Sequence, residues 1–540
     1  MSSTSRSCWN CLKLDEFPFT SIKRIHYKGC SVNFVKKPNI FCRNVNKECL
    51  DLIQPVIDQT RYIVYPLSDT DWKNDVWQGS ASLLILSESS FNVNHSEEIL
   101  KIDDYICNEG GKVLLLLNKD CDHSRHEGNA FEMLKSSENL SQKFGYWTWK
   151  KIDGMLCLYG LMESPCFVVV WASSDWISSD NIKSVLEVMQ ISCYREGNPM
   201  PPTSEILLSL KPTDSTYTEW DSLAKLLTGE IKAKVDVVSS GNNGHSFSFS
   251  DYLSALGSST TLGRNVFWAE VLPSSFTIGK SILQKLPKQS GLVLISATQT
   301  AGIGRGNNQW ISPRGMACFT LHFDLPLLET EASCKLAQVL TWVQHLSSIA
   351  VTQTFNELLC QYDNGTELDV EMKIKWPNDV YAIDKKTNTA SKVAGAVSTA
   401  SLSDTTKAKC LLGIGINVAN PVPTTCLLEI IQRCSAKKDV EMPSVATVIG
   451  RTIFHFEKLI GQLERGDKEG IKELYTKFWM HSGQRIKAMC KDERIECVIL
   501  GVDDFGYLIA KQVENGELVT LHTDGNSIDM VSRTVITRSF

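Results

Sequence analysis

The most informative stretch of this sequence is Gln299-Thr300-Ala301-Gly302-Ile303-Gly304-Arg305-Gly306-Asn307-Asn308-Gln309-Trp310. It follows an apolar run, residues 291–295, that is short enough to be a buried strand. Glycines in the stretch let the backbone turn sharply and point N–H groups at a ligand. Arg305 adds a planar fork of donors for an anion, and Trp310 adds a large flat surface. This combination predicts a site for a nucleotide or another phosphate ester.

The spacing of this loop differs from two other glycine-rich phosphate-binding loops. It is not a P-loop, because no Gly-Lys-Ser/Thr follows the glycines. It is not a dinucleotide fingerprint, because Asn307 stands where the last glycine of G-x-G-x-x-G is required. Taken alone, the spacing also fits an ordinary surface turn.

A second stretch, Lys373-Ile374-Lys375-Trp376-Pro377-Asn378-Asp379-Val380-Tyr381, favours the binding site over the surface turn. It begins with alternating residues and continues into a Trp-Pro-Asn-Asp turn. Two further motifs follow it along the chain. They are Lys392-Val393-Ala394-Gly395 and Gly413-Ile414-Gly415-Ile416-Asn417-Val418.

Together these motifs resemble the biotin protein ligase family, whose members are also called holocarboxylase synthetases. The family's G-x-G-R-x-x-x-x-W loop, its K-W-P-N-D, its K-x-x-G and its glycine-paired strand ending in Gly-Ile-Asn stand here in that order. The resemblance runs from Leu262 to the C-terminus, and the plan of the chain is similar to the animal or other eukaryotic form. It implies a ligase that joins biotin to ATP as biotinyl-5′-AMP and then passes the biotinyl group to one lysine of a carrier domain.

The resemblance implies a catalytic role for several charged residues. Lys392, Arg305 and Lys375 would supply positive charge where a carboxylate attacks the α-phosphate, since the two anions repel each other. Asn378 and Asp379 would lie near Mg²⁺. Asp379 is also our choice of base for the incoming lysine, whose ordinary pKa is about 10.4. Considered singly, each lysine also fits a solvated charge at the end of a strand, and Asn378 and Asp379 also fit residues that only form a turn.

The implied biotin pocket is narrow and apolar, with a few placed hydrogen bonds. In the family a Ser-Thr turn holds the ureido ring, and Ser274 and Ser275 stand at those positions. The alternative role for these hydroxyls is a helix cap, with Ser275 or Thr277 capping a helix that begins near Ile278. The further predicted biotin-site residues are Gln299, Ile303, Gly304, Arg305, Lys392, Gly395, Gly413 and Gly415. The predicted ATP and adenylate site consists of Gly302, Gly304, Arg305, Trp310, Lys375, Asn378, Lys392 and Asn417.

One position departs from the family pattern. The family usually has Lys or Arg before Gly304, whereas this chain has Ile303, so the loop keeps one cation where the family often has two. A glycine loop that folds over the adenylate would protect a mixed anhydride from water. We therefore expect Ile303 to affect how tightly the loop holds the adenylate and to leave the reaction class unchanged.

Length and composition narrow the class of protein. A chain of 540 residues exceeds the usual size of one core, which predicts about three domains. Its 43% hydrophobic and 21% charged residues are ordinary for a soluble globular protein. A net charge of −6 gives no indication of nucleic acid or an acidic membrane as partner, and no run approaches the ~18 apolar residues of a membrane helix. The 18 cysteines are scattered, which favours free thiols in a reducing compartment.

We predict an α/β protein whose centre is a mixed-sheet α+β domain of the biotin/lipoate-ligase type. Strand, helix and Gly-Gly signals before it resemble a flavodoxin- or glutamine-amidotransferase-like α/β domain. Segments of period two after Gly483 predict a small SH3-like β-barrel. The expected parts are an extension at 1–55, the amidotransferase-like domain at 56–200, a linker region at 201–260, the catalytic domain at 261–480 and the C-terminal domain at 481–540.

The N-terminal domain is predicted to be non-catalytic, with a regulatory or substrate-contacting role. Its candidate nucleophile, Cys121, lacks flanking glycines, and the adjacent Asp120 and Asp122 disfavour a thiolate. Acidic residues interrupt the basic bias of the first 55 residues, so a mitochondrial transit peptide is not favoured. We expect a cytoplasmic protein, with mitochondria as a second compartment left open.

The resemblance also implies partners. These are the biotin carboxyl-carrier domains of acetyl-CoA, propionyl-CoA, pyruvate and methylcrotonyl-CoA carboxylases. No helix-turn-helix signal adjoins the catalytic part, so we expect no direct binding to DNA, and we expect no membrane partner.

Two rival functions fit parts of the sequence. A lipoate or octanoate ligase would share the fold and the acyl-transfer chemistry, but the glycine loop and the K-W-P-N-D motif argue against it. A scaffold that binds biotinyl-AMP without transferring it would not need Lys392, Arg305 and Asp379. The sequence therefore favours the ligase.

Overall fold

Three β-sheets and their helices make up the part of the chain that the computed structural model describes. None of the helices in that part is long and apolar enough to cross a membrane. The described residues are 33–34, 39–59, 61–73, 77–78, 81–87, 100–102, 105–106, 111–118, 148–152, 155–159, 167–172, 178–193, 202–210, 220–238, 246–305, 308–326, 335–361, 369–403, 406–420, 424–434, 442–490, 493–522, 526–529 and 534–537.

The N-terminal part forms a seven-stranded sheet, preceded by a short strand that belongs to another sheet. Its elements in chain order are β1 (Asn33–Phe34), β2 (Asn39–Arg43), α1 (Lys47–Ile53), β3 (Ile63–Pro66), α2 (Asp69–Lys73), β4 (Ala81–Ser87), β5 (Val113–Asn118), β6 (Thr148–Ile152), β7 (Met155–Tyr159), β8 (Phe167–Ala172) and α3 (Ser179–Val188). The strand order is β3-β2-β4-β5-β8-β7-β6, and β3, β2, β4, β5 and β8 are parallel. Parallel pairing of this kind is typical of the α/β class predicted for this region. Its likeness to a flavodoxin or amidotransferase domain stays a prediction, and Cys121 lies outside the described residues.

The predicted extension at 1–55 is too long. Strand β2 pairs with both β3 and β4, so residues 39–43 belong to the first sheet. Ile40 and Cys42 are buried in its core, together with Ile53 of α1. A five-residue strand and a seven-residue helix are too short to give a sustained hydrophobic period, which is why this boundary was misplaced.

The middle of the chain forms the largest sheet. Its elements are β9 (Ile206–Ser209), α4 (Trp220–Ile231), β10 (Lys234–Val237), α5 (Phe249–Leu256), β11 (Asn265–Leu272), α6 (Ser275–Ile282), β12 (Leu292–Gln299), β13 (Met316–Pro326), α7 (Lys335–Cys360), β14 (Val370–Lys375), β15 (Asp379–Asp384), β16 (Thr389–Leu402), β17 (Lys407–Asn417), α8 (Leu427–Cys434), α9 (Val445–Glu464) and α10 (Lys468–Phe478). The order is β10-β9-β11-β12-β13-β17-β16-β15-β14, with β1 beside β16. Because β11 and β12 are parallel while β12 through β17 pair antiparallel, the sheet is mixed, as predicted.

The region 201–260 is not a linker throughout. Strands β9 and β10 pair with each other, and β9 also pairs with β11, so both extend the large sheet. Helix α4 buries Trp220, Leu223 and Leu227 against that sheet's core. Pro-Pro and Gly-rich segments mark loops within a domain as well as loops between domains. Such segments therefore do not distinguish a linker from the loops around β9 and β10. The linker-like motif Ser239 to His245 lies outside the described residues.

The two faces of the large sheet carry different elements. On one face the Phe323 ring of β13 meets Phe456 of α9, with ring centroids 5.1 Å apart. On the other face Thr320 of β13 meets Ser275 of α6, since residues three apart on a strand point to opposite sides. Most of the residues predicted to form the site lie on the α6 face or at the sheet end beside it.

The C-terminal part forms a six-stranded sheet. Its strands are β18 (Arg485–Cys490), β19 (Glu493–Val502), β20 (Leu508–Gln512), β21 (Leu518–Leu521), β22 (Asn526–Asp529) and β23 (Thr534–Thr537). The order is β21-β20-β19-β18-β23-β22. Ile486, Cys497 and Leu508 of this sheet belong to the same hydrophobic core as the large sheet, so the two sheets pack together. The likeness of this sheet to an SH3-like barrel stays a prediction.

Candidate active site

The K-W-P-N-D motif forms the turn that joins β14 to β15. Lys375, the last residue of β14, pairs across the hairpin with Asp379, the first residue of β15. Trp376 is buried at the base of the turn, and the side chains of Lys375 and Asn378 are also largely buried. A short hairpin therefore holds three predicted site residues, Lys375, Asn378 and Asp379, at one end of the large sheet.

Asp379 holds the predicted catalytic lysine. Lys392 Nζ lies 2.7 Å from Asp379 Oδ1, and the two side chains are only 25% and 17% exposed. The antiparallel pairing of β15 with β16 brings the two residues together. The Lys392 ammonium also lies 5.0 Å from the centroid of the Trp310 ring, within the range of a cation–π contact. Partial burial makes this ion pair stronger than a solvent-exposed one.

Asn378 holds the arginine of the glycine loop. Arg305 Nη1 donates to Asn378 Oδ1 at 3.1 Å, and Asn378 Nδ2 donates to the carbonyl oxygen of Ala396 at 2.5 Å. The loop is closed by backbone bonds, since Gly304 N–H donates to Asn308 O at 2.7 Å and Trp310 N–H donates to Gly302 O at 2.8 Å. Gly306 and Asn307 lie outside the described residues. Two consecutive residues of one turn thus hold two cations from different parts of the chain.

The indole of Trp310 lies against two glycines of the large sheet. A Cβ placed on Gly415 would lie 2.4 Å from Trp310 Nε1, and one placed on Gly395 would lie 3.1 Å from Trp310 Cζ3. Any side chain at Gly415 would collide with the indole. The glycines in these two motifs therefore let an aromatic ring approach the sheet closely.

The predicted biotin residues form a polar cluster beside α6. Gln299 Oε1 accepts hydrogen bonds from the Ser275 N–H at 2.7 Å and from Ser275 Oγ at 3.1 Å. Gln299 Nε2 donates to Ser312 Oγ at 3.0 Å, and Ser275 Oγ lies 2.8 Å from Thr320 Oγ1. These contacts fix the orientation of the Gln299 amide.

Ser274 is the N-cap of α6, because its side chain accepts from the Thr277 N–H at 3.3 Å. The prediction of a helix beginning near Ile278 and capped by Ser275 or Thr277 is therefore wrong by about one turn. The Pro273-Ser274 pair starts the helix earlier than the apolar spacing indicated.

Strand β17 connects the two groups of residues. A Cβ placed on Gly413 would lie 3.0 Å from Phe276 of α6, whereas Gly415, two residues further, contacts Trp310. Asn417 at the end of the strand donates from Nδ2 to the carbonyl oxygens of Lys392 at 3.2 Å and Thr425 at 3.1 Å. Ile303 is 39% exposed on the loop. The cluster around Ser275 and the cluster around Lys392 are therefore neighbours on one face of one strand.

Three buried residues lie beneath the turn: His345, for which the sequence predicts a packed or capping role, and Tyr475 and His481, for which it predicts none. The Trp376 N–H donates to His481 Nε2 at 2.9 Å, and the Tyr475 hydroxyl donates to Pro377 O at 3.2 Å. His345 Nδ1 lies 3.2 Å from that same oxygen. Burial lowers the pKa of His345 and of His481 to about 4, so both are neutral near pH 7. No local signal marks these residues, because they lie far from the motif in sequence.

The described residues contain no group of three or more His, Cys, Asp or Glu side chains that could hold a metal ion. Asp379 and Asn378 are the oxygen-bearing side chains that contact Lys392 and Arg305. One carboxylate with the phosphates of a substrate is a common way to bind Mg²⁺, so the donor set fits an ion that arrives with a nucleotide.

Comparison with known proteins places the site in a recognised family. The model of the Biotin/lipoate A/B protein ligase family matches residues 268–417, a range that contains every residue predicted for the site. A human biotin–protein ligase is 34% identical over 277 residues, which cover 51% of this chain and 36% of that protein. Biotin–protein ligase 2 of Arabidopsis thaliana is 31% identical over 292 residues, which cover 53% of this chain and 80% of that protein.

Solved structures of such proteins are also similar to this chain. A biotin protein ligase from Aquifex aeolicus in complex with biotin and ATP covers 48% of this chain and 99% of its own, at 21% identity and a TM-score of 0.33. The chain spans a little over a third of the human relative's length and four fifths of the plant relative's length.

Proposed function

Because this chain belongs to the biotin protein ligase family, we propose that it forms biotinyl-5′-AMP from biotin and ATP and then transfers the biotinyl group to a lysine of a carrier protein. The observation that carries the proposal is the convergence of Arg305 and Lys392 on Asn378 and Asp379, two consecutive residues of one turn. Lys375 begins the same turn. Positive charge is therefore concentrated where a carboxylate and a triphosphate would otherwise repel each other.

In the first step, a carboxylate oxygen of biotin attacks the α-phosphorus of ATP, and pyrophosphate leaves. Lys392 would bridge the carboxylate and the α-phosphate, because its flexible stem lets the ammonium turn from Asp379 to an anion. Arg305 would clamp the same centre with its planar fork of donors, and Lys375 would balance charge on the remaining phosphates. The three cations contribute by stabilising charge that develops in the transition state.

In the second step, the amine of the carrier lysine attacks the acyl carbon, and AMP leaves. This amine must be neutral, and its ordinary pKa of about 10.4 means that a base is needed near pH 7. Asp379 would take that proton, because its carboxylate lies 2.7 Å from the ammonium of Lys392, the lysine proposed to bridge the two substrates. The glycine loop and Trp310 would keep water from the mixed anhydride until the carrier arrives.

Biotin would lie along β17, with its ureido ring in the polar cluster of Ser275 and Gln299. Ser275 Oγ and the Gln299 amide are held by neighbouring polar groups, so they are preorganised to bond a ureido group. Ser274 would contribute less through its side chain, because that hydroxyl caps α6. The adenylate would extend towards Gly395, Trp310 and Asn417.

Mg²⁺ would be held by Asp379 and Asn378 with oxygens of the ATP phosphates. When bound, the ion supplies positive charge to the phosphates and helps the pyrophosphate leave.

Carrier domains of the biotin-dependent carboxylases, including acetyl-CoA, propionyl-CoA, pyruvate and methylcrotonyl-CoA carboxylases, are the proposed protein substrates. A cytoplasmic location, with mitochondria left open as a second compartment, and a non-catalytic, regulatory or substrate-contacting role for the N-terminal domain complete the proposal. These features rest on the resemblance and on the composition of the chain.

A labelled-biotin assay with purified protein tests the proposal. The chain is incubated with ATP, Mg²⁺ and a carrier domain, and label in the carrier is measured with biotin, lipoate or no competitor. We expect ATP-dependent labelling that unlabelled biotin abolishes and lipoate does not. Competition by lipoate instead would identify a lipoate ligase, and tight binding of biotinyl-AMP without transfer would identify a scaffold.

A further inference from the structure

Side chains from outside the hairpin support the backbone of the K-W-P-N-D turn. We call His345, Tyr475, His481 and Gly506 the support cluster. The Trp376 N–H donates to His481 Nε2 at 2.9 Å, and Pro377 O accepts from Tyr475 at 3.2 Å. The support cluster thus contacts one polar backbone group on each of the two middle residues of the turn, Trp376 and Pro377.

His481 can make its contacts in only one protonation state. A backbone N–H can only donate, so His481 Nε2 must be an unprotonated acceptor and the proton must lie on Nδ1. Nδ1 lies 2.7 Å from Gln484 Oε1, which accepts that proton. His481 is fully buried, and both of its ring nitrogens are satisfied in this neutral tautomer. His481 and Gln484 lie in the short segment that leads from α10 into β18, so this contact ties the C-terminal sheet to the turn.

His345 makes a second connection to the C-terminal sheet. Its Nε2 lies 2.7 Å from the carbonyl oxygen of Gly506, in the turn between β19 and β20. Gly506 has a φ of +78°, and a Cβ placed there would lie 2.7 Å from Thr341 Cγ2 and 3.0 Å from His345 Cδ2. A neutral imidazole has one N–H, and that N–H goes to the nearer oxygen, the one of Gly506. His345 therefore reaches the turn by packing against Tyr475, since their ring centroids are 4.1 Å apart and the Tyr475 hydroxyl donates to Pro377 O.

The supported turn is the one that holds the two cations on its other side. Asn378 bonds Arg305 and Asp379 bonds Lys392, so a displacement of the turn backbone moves both cations together. We propose that the C-terminal sheet sets the position of Arg305 and Lys392 through His481 and His345, which act as positioning residues for adenylate formation. The inference rests on the proposed function and assigns part of its machinery to side chains that touch neither biotin nor ATP.

Loss of the His481 acceptor would leave the Trp376 N–H buried without a partner, which is costly. The turn can relieve that cost by moving towards another acceptor. A shift of about 1 Å at a reacting group can lower a rate by about 100-fold. The alternative is that the support cluster only stabilises the fold, in which case the rate of the folded protein would not change.

Two substitutions of one residue separate these alternatives. In His481→Gln the amide oxygen can reach the place of Nε2 and accept from Trp376, whereas the shorter side chain of His481→Asn reaches only the place of Nδ1. We would measure kcat and KM for biotin-dependent ATP–pyrophosphate exchange, with urea unfolding to give the folded fraction. The Asn variant is expected to lose kcat by about 10- to 100-fold per folded molecule, and the Gln variant is expected to recover most of that loss.

A second matched pair of variants tests the connection from the C-terminal sheet to the turn through His345. This pair keeps the inference testable if His481→Asn does not fold. Gly506→Ala and Gly516→Ala both place alanine at positive φ, +78° and +75°, in turns of the C-terminal sheet. At Gly516 the new Cβ meets only the end of the Lys511 side chain, at 3.3 Å. Both variants therefore carry a similar backbone cost, but only Gly506→Ala presses on His345. We expect a lower exchange kcat for Gly506→Ala alone.

The outcomes distinguish this inference from the proposed function. If the unaltered chain shows no biotin-dependent exchange, the proposed function fails, and the inference fails with it. If the unaltered chain is active and His481→Asn keeps its kcat, or Gly506→Ala and Gly516→Ala lose kcat equally, the inference alone is overturned.

Discussion

Lys392 Nζ lies 2.7 Å from Asp379 Oδ1, and this ion pair joins the K-x-x-G motif to the K-W-P-N-D motif. The two residues are 13 positions apart in sequence and meet because β15 and β16 are antiparallel neighbours. The carboxylate balances the lysine charge in a place that is only partly exposed. Asn378, the residue before Asp379, holds Arg305, so the turn positions two cations at once.

Removing the lysine charge should stop adenylate formation. Lys392→Ala is expected to lower biotin-dependent ATP–pyrophosphate exchange by about 100-fold or more, because a cation at the developing charge is lost. Lys373→Ala is the matched control, since Lys373 lies on β14 and pairs with Glu371 at 2.8 Å. Normal exchange by folded Lys392→Ala would show that another cation bridges the two substrates.

Neutralising Asp379 should affect the transfer step more than the adenylation step. Asp379→Asn keeps the size of the side chain and removes both the partner of Lys392 and the proposed base. We expect transfer from preformed biotinyl-AMP to a carrier domain to fall by about 100-fold or more, in the range of general base catalysis. Exchange should fall less. Equal losses in the two assays would mean that Asp379 acts by positioning Lys392 or holding Mg²⁺ and is not the base for transfer.

Arg305 and Asn378 should act as one unit. A double-mutant cycle of Arg305→Ala and Asn378→Ala is expected to show a coupling energy of about 1 kcal/mol or more in kcat/KM, because each single change already disrupts the 3.1 Å bond. Asn378→Ala also leaves the Ala396 carbonyl without its donor. Strictly additive effects would show that the bond does not position Arg305 in the working enzyme.

The parts of this fold that the sequence predicted well are those with a strong local signal. The apolar run before the glycine loop is β12, and the alternating residues before the Trp-Pro-Asn-Asp turn end β14. The motifs carry their own geometry, because glycine spacing and turn residues fix a local backbone. The motifs can therefore be recognised without knowledge of the tertiary contacts, and the roles of their residues stay predictions.

What the sequence did not predict depends on contacts between distant segments. Strands β9 and β10 are four residues each and become recognisable only when they pair beside β11. Removal of residues 1–250 would take both strands away from the large sheet, so a minimal catalytic fragment must begin before Ile206. Similarly, His345 and His481 lie 30 residues or more from the K-W-P-N-D turn in sequence, and only the folded chain brings them to Pro377 and Trp376.

Gly415 should not tolerate a methyl group. The Cβ of Gly415→Ala would lie 2.4 Å from Trp310 Nε1, so the indole or the strand must move, at a cost of about 1–3 kcal/mol in the free energy of unfolding. The displaced indole should also weaken adenylate binding, measured by calorimetry with a non-hydrolysable biotinyl-AMP analogue. Gly229→Ala is the control, since its Cβ would meet nothing within 4 Å in α4. Unchanged stability of Gly415→Ala would show that Trp310 does not rest on this glycine in solution.

The buried histidines should make the folded state sensitive to mild acid. His481 is buried neutral, and its pKa is lowered from 6.5 to about 4, mainly by burial and secondarily by the charge of Lys375. The unfolded chain therefore binds this proton more readily than the folded chain does. The contribution of neutral His481 to the free energy of unfolding is complete above pH 6.5 and is lost as the pH falls from there towards about 4.

Urea unfolding gives the free energy of unfolding of the unaltered chain and of His481→Gln at pH 7.5 and at pH 5. Comparing the two proteins separates the effect of His481 from that of the other titrating groups. Glutamine keeps an acceptor for the Trp376 N–H but does not titrate, so the variant should lose less unfolding free energy between the two pH values. The difference between the two proteins isolates His481, because His345 and His322 are buried neutral in both. An identical pH dependence would mean that His481 is already able to gain a proton in the folded state, and a protonated Nε2 could not accept from Trp376. The turn that holds Arg305 and Lys392 would then need another support.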